Sequence, residues 1–228
     1  MTERQEPVIW MRPEQAQAGR PAERSRAEIT AAAVELADRE GLDAVSMRRV
    51  AATLGTGAAS LYRYVSARDD LLALMVDSVA GEYDLSPPTG DWQADLSAIA
   101  HQARQIMRRH PWLPGLVIAR PALGPHGVDL LEHVLEVLAD HPAEPAAKVE
   151  AFALLNALTA LFVQNELAAA GPEVRRRAAY LQHVAAAGSH PRIAALPAVA
   201  APPADASGDA SGDRFASVLV RALAGVLG

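Results

Sequence analysis

The sequence predicts an all-α protein, and three observations carry that expectation. No stretch of the 228 residues alternates apolar and polar side chains with the period of two that a half-buried strand requires. Apolar residues instead recur at helical spacing through most of the chain. Those periodic segments are punctuated by glycine and proline, which stop helices for known backbone reasons. The predicted architecture is a three-helix head carrying a helix-turn-helix, joined to a larger all-helical body. Residues 1–22 form a flexible arm, 23–70 the head and 71–228 the body, with 188–213 as a long mobile loop.

The head is organised around Val45 to Arg68 (VSMRRVAATLGTGAASLYRYVSAR). Met47, Val50, Ala51 and Leu54 form one apolar face of a short helix, with Ser46 placed to cap it. Leu54-Gly55-Thr56-Gly57 breaks that helix, and a second runs from Ala58 to about Val65 with Leu61 and Val65 inward. Its outer side offers Ala58, Ala59, Ser60, Tyr62, Arg63 and Tyr64. From Ala44 to Arg68 there are four arginines and no acid, although the whole chain carries a net charge of −6. A local cationic surface on an acidic protein fits a phosphate-facing site. The plainer alternative is a pair of amphipathic helices with solvated arginines. Two neighbours weigh against it: Ser25 to Glu40 reads as a supporting helix ending at Gly41, and Asp69 to Glu82 as another.

The run AAAVELADREGLDAVSMRRVAATLGTGAASLYRYVSARDDLL closely resembles the DNA-binding head of TetR-type transcriptional repressors. The resemblance rests on the Gly41 turn, Ser46, Val50-Ala51 before Leu54-Gly55, Leu61-Tyr62, and the step Arg68-Asp69-Asp70-Leu71-Leu72. PWLPGLVIARPALGPHGVDLLEHV, from Pro111 onward, is similar to the effector domain of the tetracycline repressors. The family implies a homodimer on a palindromic operator in double-stranded DNA, released by a small-molecule effector. Its tetracycline-binding members contact magnesium-tetracycline through histidines. The corresponding stretches here carry Tyr83-Asp84 and Leu116-Val117, so tetracycline is not the expected ligand.

On this reading Arg48 reads base edges, because a guanidinium can fork onto guanine. Ala58 and Ala59 offer methyls to thymine. Ser46, Thr56, Ser60, Tyr62, Tyr64 and Arg68 complete the DNA-binding set, mostly through phosphates. Arg49 is left out, since it points the other way round its helix. In the arm, Gly19-Arg20-Pro21 could reach a minor groove, and Val8 to Met11 suggests a small apolar anchor.

The body opens after Asp84 to Gly90, with Asp91 capping a helix from Trp92 to Arg109. A kinked junction at His110 to Pro114 leads to a short helix ending near Ala119, and Gly127 to Ala139 is the next. Pro145 to Ala169 is apolar on every side between Ala151 and Val163, save Asn156 and Thr159. Such a helix must be covered all round. A second copy of the chain is the expected cover, through this helix and the last one, Arg214 to Leu227. Gly171 to Gln182, with Arg175, Arg176 and Arg177, reads as a solvated surface helix. Large apolar side chains at Trp92, Leu96, Ile99, Trp112, Leu116, Phe152 and Phe162 fit an ordinary helical core and the walls of a small-molecule pocket equally, and the resemblance implies the pocket, for an apolar, drug-sized effector. His101, Gln105, Arg120, Asn156 and Thr159 are its expected polar anchors.

Catalysis is not expected. The seven histidines match no ligand spacing such as HExxH, and there is no Gly-rich phosphate loop or GxSxG. With no cysteine, thiolate chemistry and thiolate-bound zinc are excluded, and no cofactor is anticipated. Residues 1–68 sum to +1 and 69–228 to −7, which concentrates DNA affinity in the head. The sequence shows no signal-peptide pattern and no uninterrupted apolar run on the order of 18 residues. A cytoplasmic protein without membrane contact is therefore expected. The rival expectations are a helical interaction module without DNA binding, and an all-α enzyme.

Overall fold

A computed structural model describes residues 8–13, 24–119, 123–169, 171–195 and 208–228. The described residues hold eleven α-helices and no strand. Helix α1 (Arg26–Glu40) opens on a capping box: Ser25 Oγ accepts from Glu28 N, and Glu28 Oε2 accepts from Ser25 N. Helices α2 (Met47–Thr53) and α3 (Ala58–Leu61) follow, then α4 (Arg68–Ala80). Ile29, Leu36, Val50, Leu61, Val65, Leu71 and Met75 fill the space between these four and are sealed from solvent. Gly55 adopts φ +67° between α2 and α3, a conformation that other residues reach only under strain. That turn lets α3 leave α2 at an angle without losing the shared core.

The body continues with α5 (Trp92–Arg109), α6 (Leu113–Ala119), α7 (Pro125–Val137) and α8 (Pro145–Ala168). Surface helix α9 (Pro172–Ala186), short α10 (Pro191–Ala194) and α11 (Gly208–Leu227) complete it. Asp91 caps α5 by accepting from the amides of Gln93 and Ala94. The second core joins Leu96, Ala100, Val134, Leu138 and Leu155 to Phe215, Leu219 and Leu223 of α11. Helix α8 packs against α5, α6 and α11. By length and hydropathy α8 alone, among the described residues, could also cross a bilayer, but here it is a packed element of a helical domain.

Two expectations need correction. The arm foreseen over residues 1–22 is not uniform. Residues 8–13 are docked: Ile9 is buried in the head core, and Arg26 Nη atoms donate to the carbonyls of Ile9, Arg12 and Pro13. Arg12 completes the fastening by forking onto Asp70 at 2.8 and 3.3 Å. The Gly19-Arg20-Pro21 triplet lies outside the described residues. The loop foreseen over 188–213 is also shorter, because α10 lies within it and α11 begins at Gly208. Once Phe215 and its successors are packed, extending the helix backward adds a hydrogen bond for each residue fixed.

Candidate DNA-reading face and effector cavity

Helix α2 starts at Ser46, whose Oγ accepts from Arg49 N at 3.3 Å. Arg48 then stands exposed on the outer face, while Arg49 turns aside and ion-pairs with Glu40 of α1. In α3 and the turn that follows it, Leu61 points inward and Ala59, Tyr62 and Arg63 point out, with Tyr62 52% exposed. Thr56 Oγ1 and Ser60 Oγ share a hydrogen bond of 2.9 Å, and Ser60 Oγ also donates to Gly57 O. These hydroxyls therefore brace the first turn of α3. Ala58 and Tyr64 are partly buried against the head core. The structure thus brings Arg48, Ala59, Tyr62 and Arg63 onto the outside of two short helices, supported by the remaining predicted residues. Arg63 is the addition to the expected set, legible from its place beside Tyr62 on the same outer side.

Arg68 has a second duty that the sequence did not suggest. Its Nε donates to Val45 O at 3.0 Å and its Nη2 to Leu42 O at 3.3 Å. The guanidinium ties the start of α4 to the linker before α2. Arg24 and Arg26 act alike, donating to Leu54 O at 2.7 Å and Tyr64 O at 3.0 Å. The head's arginines divide between those that hold backbone carbonyls and those that face outward.

The head meets the body at a polar joint. Asp38 of α1 accepts from Trp112 Nε1 at 2.6 Å, and its Oδ1 lies 2.7 Å from His110 Nδ1. The other imidazole nitrogen reaches Glu82 Oε1 at 3.0 Å, and Arg109 also bonds Glu82. Burial acts to raise the Glu82 pKa, but hydrogen bonds from Arg109 and His110 prevail and hold it below the ordinary 4.5.

A cavity of about 400 Å³ lies within the body. Helix α4 contributes Val76, Asp77, Val79 and Ala80, and Tyr83 follows on the same side. Ile106 and Met107 of α5 and Leu113, Val117 and Ile118 of α6 add apolar surface. Leu123 and α7 (Gly127, Leu130, Leu131) close a third wall, and α8 supplies Val149, Phe152, Ala153, Asn156 and Ala157. Burial pushes the Tyr83 phenol above its ordinary pKa. Asn156 Nδ2 donates back to Phe152 O at 3.1 Å, which leaves its side-chain carbonyl as an acceptor.

Of the predicted effector residues, Phe152 and Asn156 line this cavity. Among the described residues the others do not, for reasons of packing. Leu96 and Ile99 are buried in the second core, and Leu116 in the first. Trp112 is 7% exposed and spends its indole N–H on Asp38. His101 and Phe162 stand edge-on to the Phe215 ring, with centroids 5.6 and 5.1 Å away. Trp92 meets His141 at 5.1 Å. Thr159 is sealed, donating to Leu155 O, and Gln105 faces solvent. Arg120 lies outside the described residues. The residue most clearly missed is Asp77, whose signal was present: it is the one charged residue between Leu71 and Ala80, a stretch otherwise apolar but for Ser78. Among the described residues no three histidine or acidic side chains gather as metal ligands would.

A helix-turn-helix head whose last helix runs on into the wall of an apolar cavity defines a two-domain helical regulator. Comparison with known proteins makes the family explicit. Residues 29–75 match the family described as bacterial regulatory proteins, tetR family, and residues 86–228 match the tetracyclin repressor-like C-terminal domain. The chain belongs to the TetR family. It is 47% identical over 112 residues to the HTH-type transcriptional repressor DrrR1 of Streptomyces coeruleorubidus, covering 48% of this chain and 42% of that one. It is 38% identical over 133 residues to an HTH-type transcriptional regulator of Saccharopolyspora erythraea, covering 58% and 56%. The chain thus spans about half the length of these curated relatives. The fold is similar to that of the TetR family protein ActR from Streptomyces coelicolor. In complex with (S)-DNPA, ActR matches with a TM-score of 0.74 and 30% identity, over 89% of this chain and 96% of that one. In complex with actinorhodin the TM-score is 0.74 at 29% identity, over 91% and 97%.

Proposed function

We propose that this chain is a homodimeric transcriptional repressor that binds a palindromic operator and leaves it when a small, mostly apolar molecule fills the cavity. The single observation that carries this reading is helix α4. Its first half shares the head core through Leu71, Leu72 and Met75, and its second half forms a cavity wall through Val76, Asp77, Val79 and Ala80. Anything that shifts the cavity wall shifts the same rigid element that positions α2 and α3. The relatives support the reading, being named transcriptional repressors and regulators, and ActR is a relative in fold with small molecules bound.

Dimerisation follows from what the single chain leaves uncovered. Along α8, Leu154 and Leu158 are partly buried at the edge of the second core, and Leu161 is 49% exposed. Val218 and Ala222 lie partly exposed on neighbouring α11. A second copy placing the same helices there covers all five, and its two-fold axis presents the two heads to two half-sites. Arg48 then reads a base edge, with Ala59, Tyr62 and Arg63 beside it and backbone contacts fixing register.

Release needs differential affinity. Moving the balance from about 1:99 to 99:1 requires about 10⁴-fold preference for the non-binding state, or about 5.5 kcal/mol. By linkage the operator weakens the effector by the same factor. Selection of bound sequences from random double-stranded DNA tests the core of the proposal. An inverted repeat whose half-sites lie about one helical turn apart, or a multiple of it, is the expected product. No enrichment at low salt would overturn it.

A further inference from the structure

We propose that the cavity takes a cationic amphiphile: an apolar ring system bearing an ammonium group that pairs with Asp77. The inference rests on reading the cavity as the effector site and adds the charge of the ligand. Asp77 is 6% exposed and sits in a wall otherwise made of aliphatic and aromatic carbon. Its Oδ1 accepts the Gly127 amide hydrogen at 3.0 Å, and among the described residues the carboxylate makes no other hydrogen bond. Yet no side-chain oxygen in the described structure is both sealed and unpartnered. Oδ2 therefore opens onto space, and the space that Asp77 borders is the cavity.

The rest of the lining sharpens the choice of ligand. Besides Asp77, Tyr83 is the one titratable side chain among the described lining residues, and no lysine, arginine or histidine accompanies it. The side-chain carbonyl of Asn156 adds a further acceptor. A carboxylate at an apolar surface is costly without a counter-charge, and a bound ammonium supplies one through a charge-assisted hydrogen bond. An anionic ligand would meet the same carboxylate with no cation among the described lining residues to offset it. Local packing also holds Asp77 in place. A Cβ on Gly124 would lie 2.6 Å from Trp10 Cζ2 and press on the Asp77 carboxyl, so only glycine lets the α7 start approach this closely. Asp77 could simply hold the first turn of α7, and the test separates that duty from charge recognition.

Asp77→Asn keeps an oxygen for the Gly127 amide and removes the charge. Three probes with one fluorophore serve: dansylcadaverine (ammonium), its N-acetyl derivative (neutral) and dansylglycine (carboxylate), titrated by fluorescence into the full chain. The expected order is cation tightest, at least about tenfold over neutral, with the anion weakest. Asp77→Asn should remove that preference and leave the neutral probe unchanged. Ala153→Trp, which fills the cavity, should weaken all three. Equal binding of the three probes, a preference that survives in Asp77→Asn, or tightest binding of the anion would overturn the proposal. If the neutral probe binds and Ala153→Trp blocks it without charge discrimination, the cavity reading stands and only this inference falls. If no probe binds, both fall.

Discussion

The proposed DNA-reading head and the proposed effector cavity are built on opposite principles. In the head, the functional side chains are those left outside once the core is satisfied. Leu61 and Val65 go in, so Ala59, Tyr62 and Arg63 come out, and one short helix with the turn after it suffices. In the body, the functional side chains are those left inside, where α4, α5, α6, α7 and α8 fail to fill the space between them. An outer face follows from the period of one helix. A cavity depends on how five helices stand relative to one another, and no single helix encodes that. The comparison teaches that a recognition surface tolerates local change in its outward residues, whereas a cavity is vulnerable to any change in packing around it.

The largest expected effect breaks the arrangement that joins the two regions into one machine. Leu161→Glu on the exposed part of α8 should leave each chain folded but place an unpaired charge in the proposed dimer interface, at a cost of several kcal/mol. Sedimentation would report monomers, and operator affinity would collapse with it. A variant that stays dimeric shows that the subunits meet elsewhere. Ala160 is unsuited to this test, because it is fully buried within the single chain.

Next comes the core of the head. Leu61→Ala should cost about 2–5 kcal/mol and abolish DNA binding, since α3 has no other fully buried anchor. Leu155→Ala in the body should cost a similar amount in thermal unfolding. If it also alters probe binding more than Leu61→Ala does, the contrast between surface and cavity holds.

Arg48→Ala should cost about 1–3 kcal/mol at one base pair and relax preference there, with no change in melting temperature. Repeating the DNA selection with the variant reads this directly. Arg68→Ala should behave differently, losing about 1–3 kcal/mol of stability through its two backbone carbonyls. A purely phosphate-contacting Arg68 would instead leave the melting temperature unchanged.

The smallest effect probes the joint between the regions. Because the folded Glu82 pKa lies below 4.5, its contribution to stability is present above that ordinary value and lost as pH falls through the lower folded one. Wild type should lose melting temperature more steeply than Glu82→Gln when acidified below 4.5. Parallel curves would mean that the His110–Glu82–Arg109 cluster adds nothing to cohesion.

What the sequence determined by itself was local. Ser46 and Asp91 announced their helices because capping is decided within four residues, and each caps as expected. Helical periodicity separated Leu61 from Tyr62, and charge composition marked the head. The identity of cavity walls against core was decided only in three dimensions. Trp112 and Trp92 have the bulk of cavity walls, yet one rivets the body to Asp38 and the other leans on His141, because their partners arrive from helices distant in sequence. The tertiary structure also assigned Arg24, Arg26 and Arg68 to backbone carbonyls of the head. A guanidinium's charge is written in the sequence, but whether it faces phosphate or carbonyl depends on which backbone folds beside it.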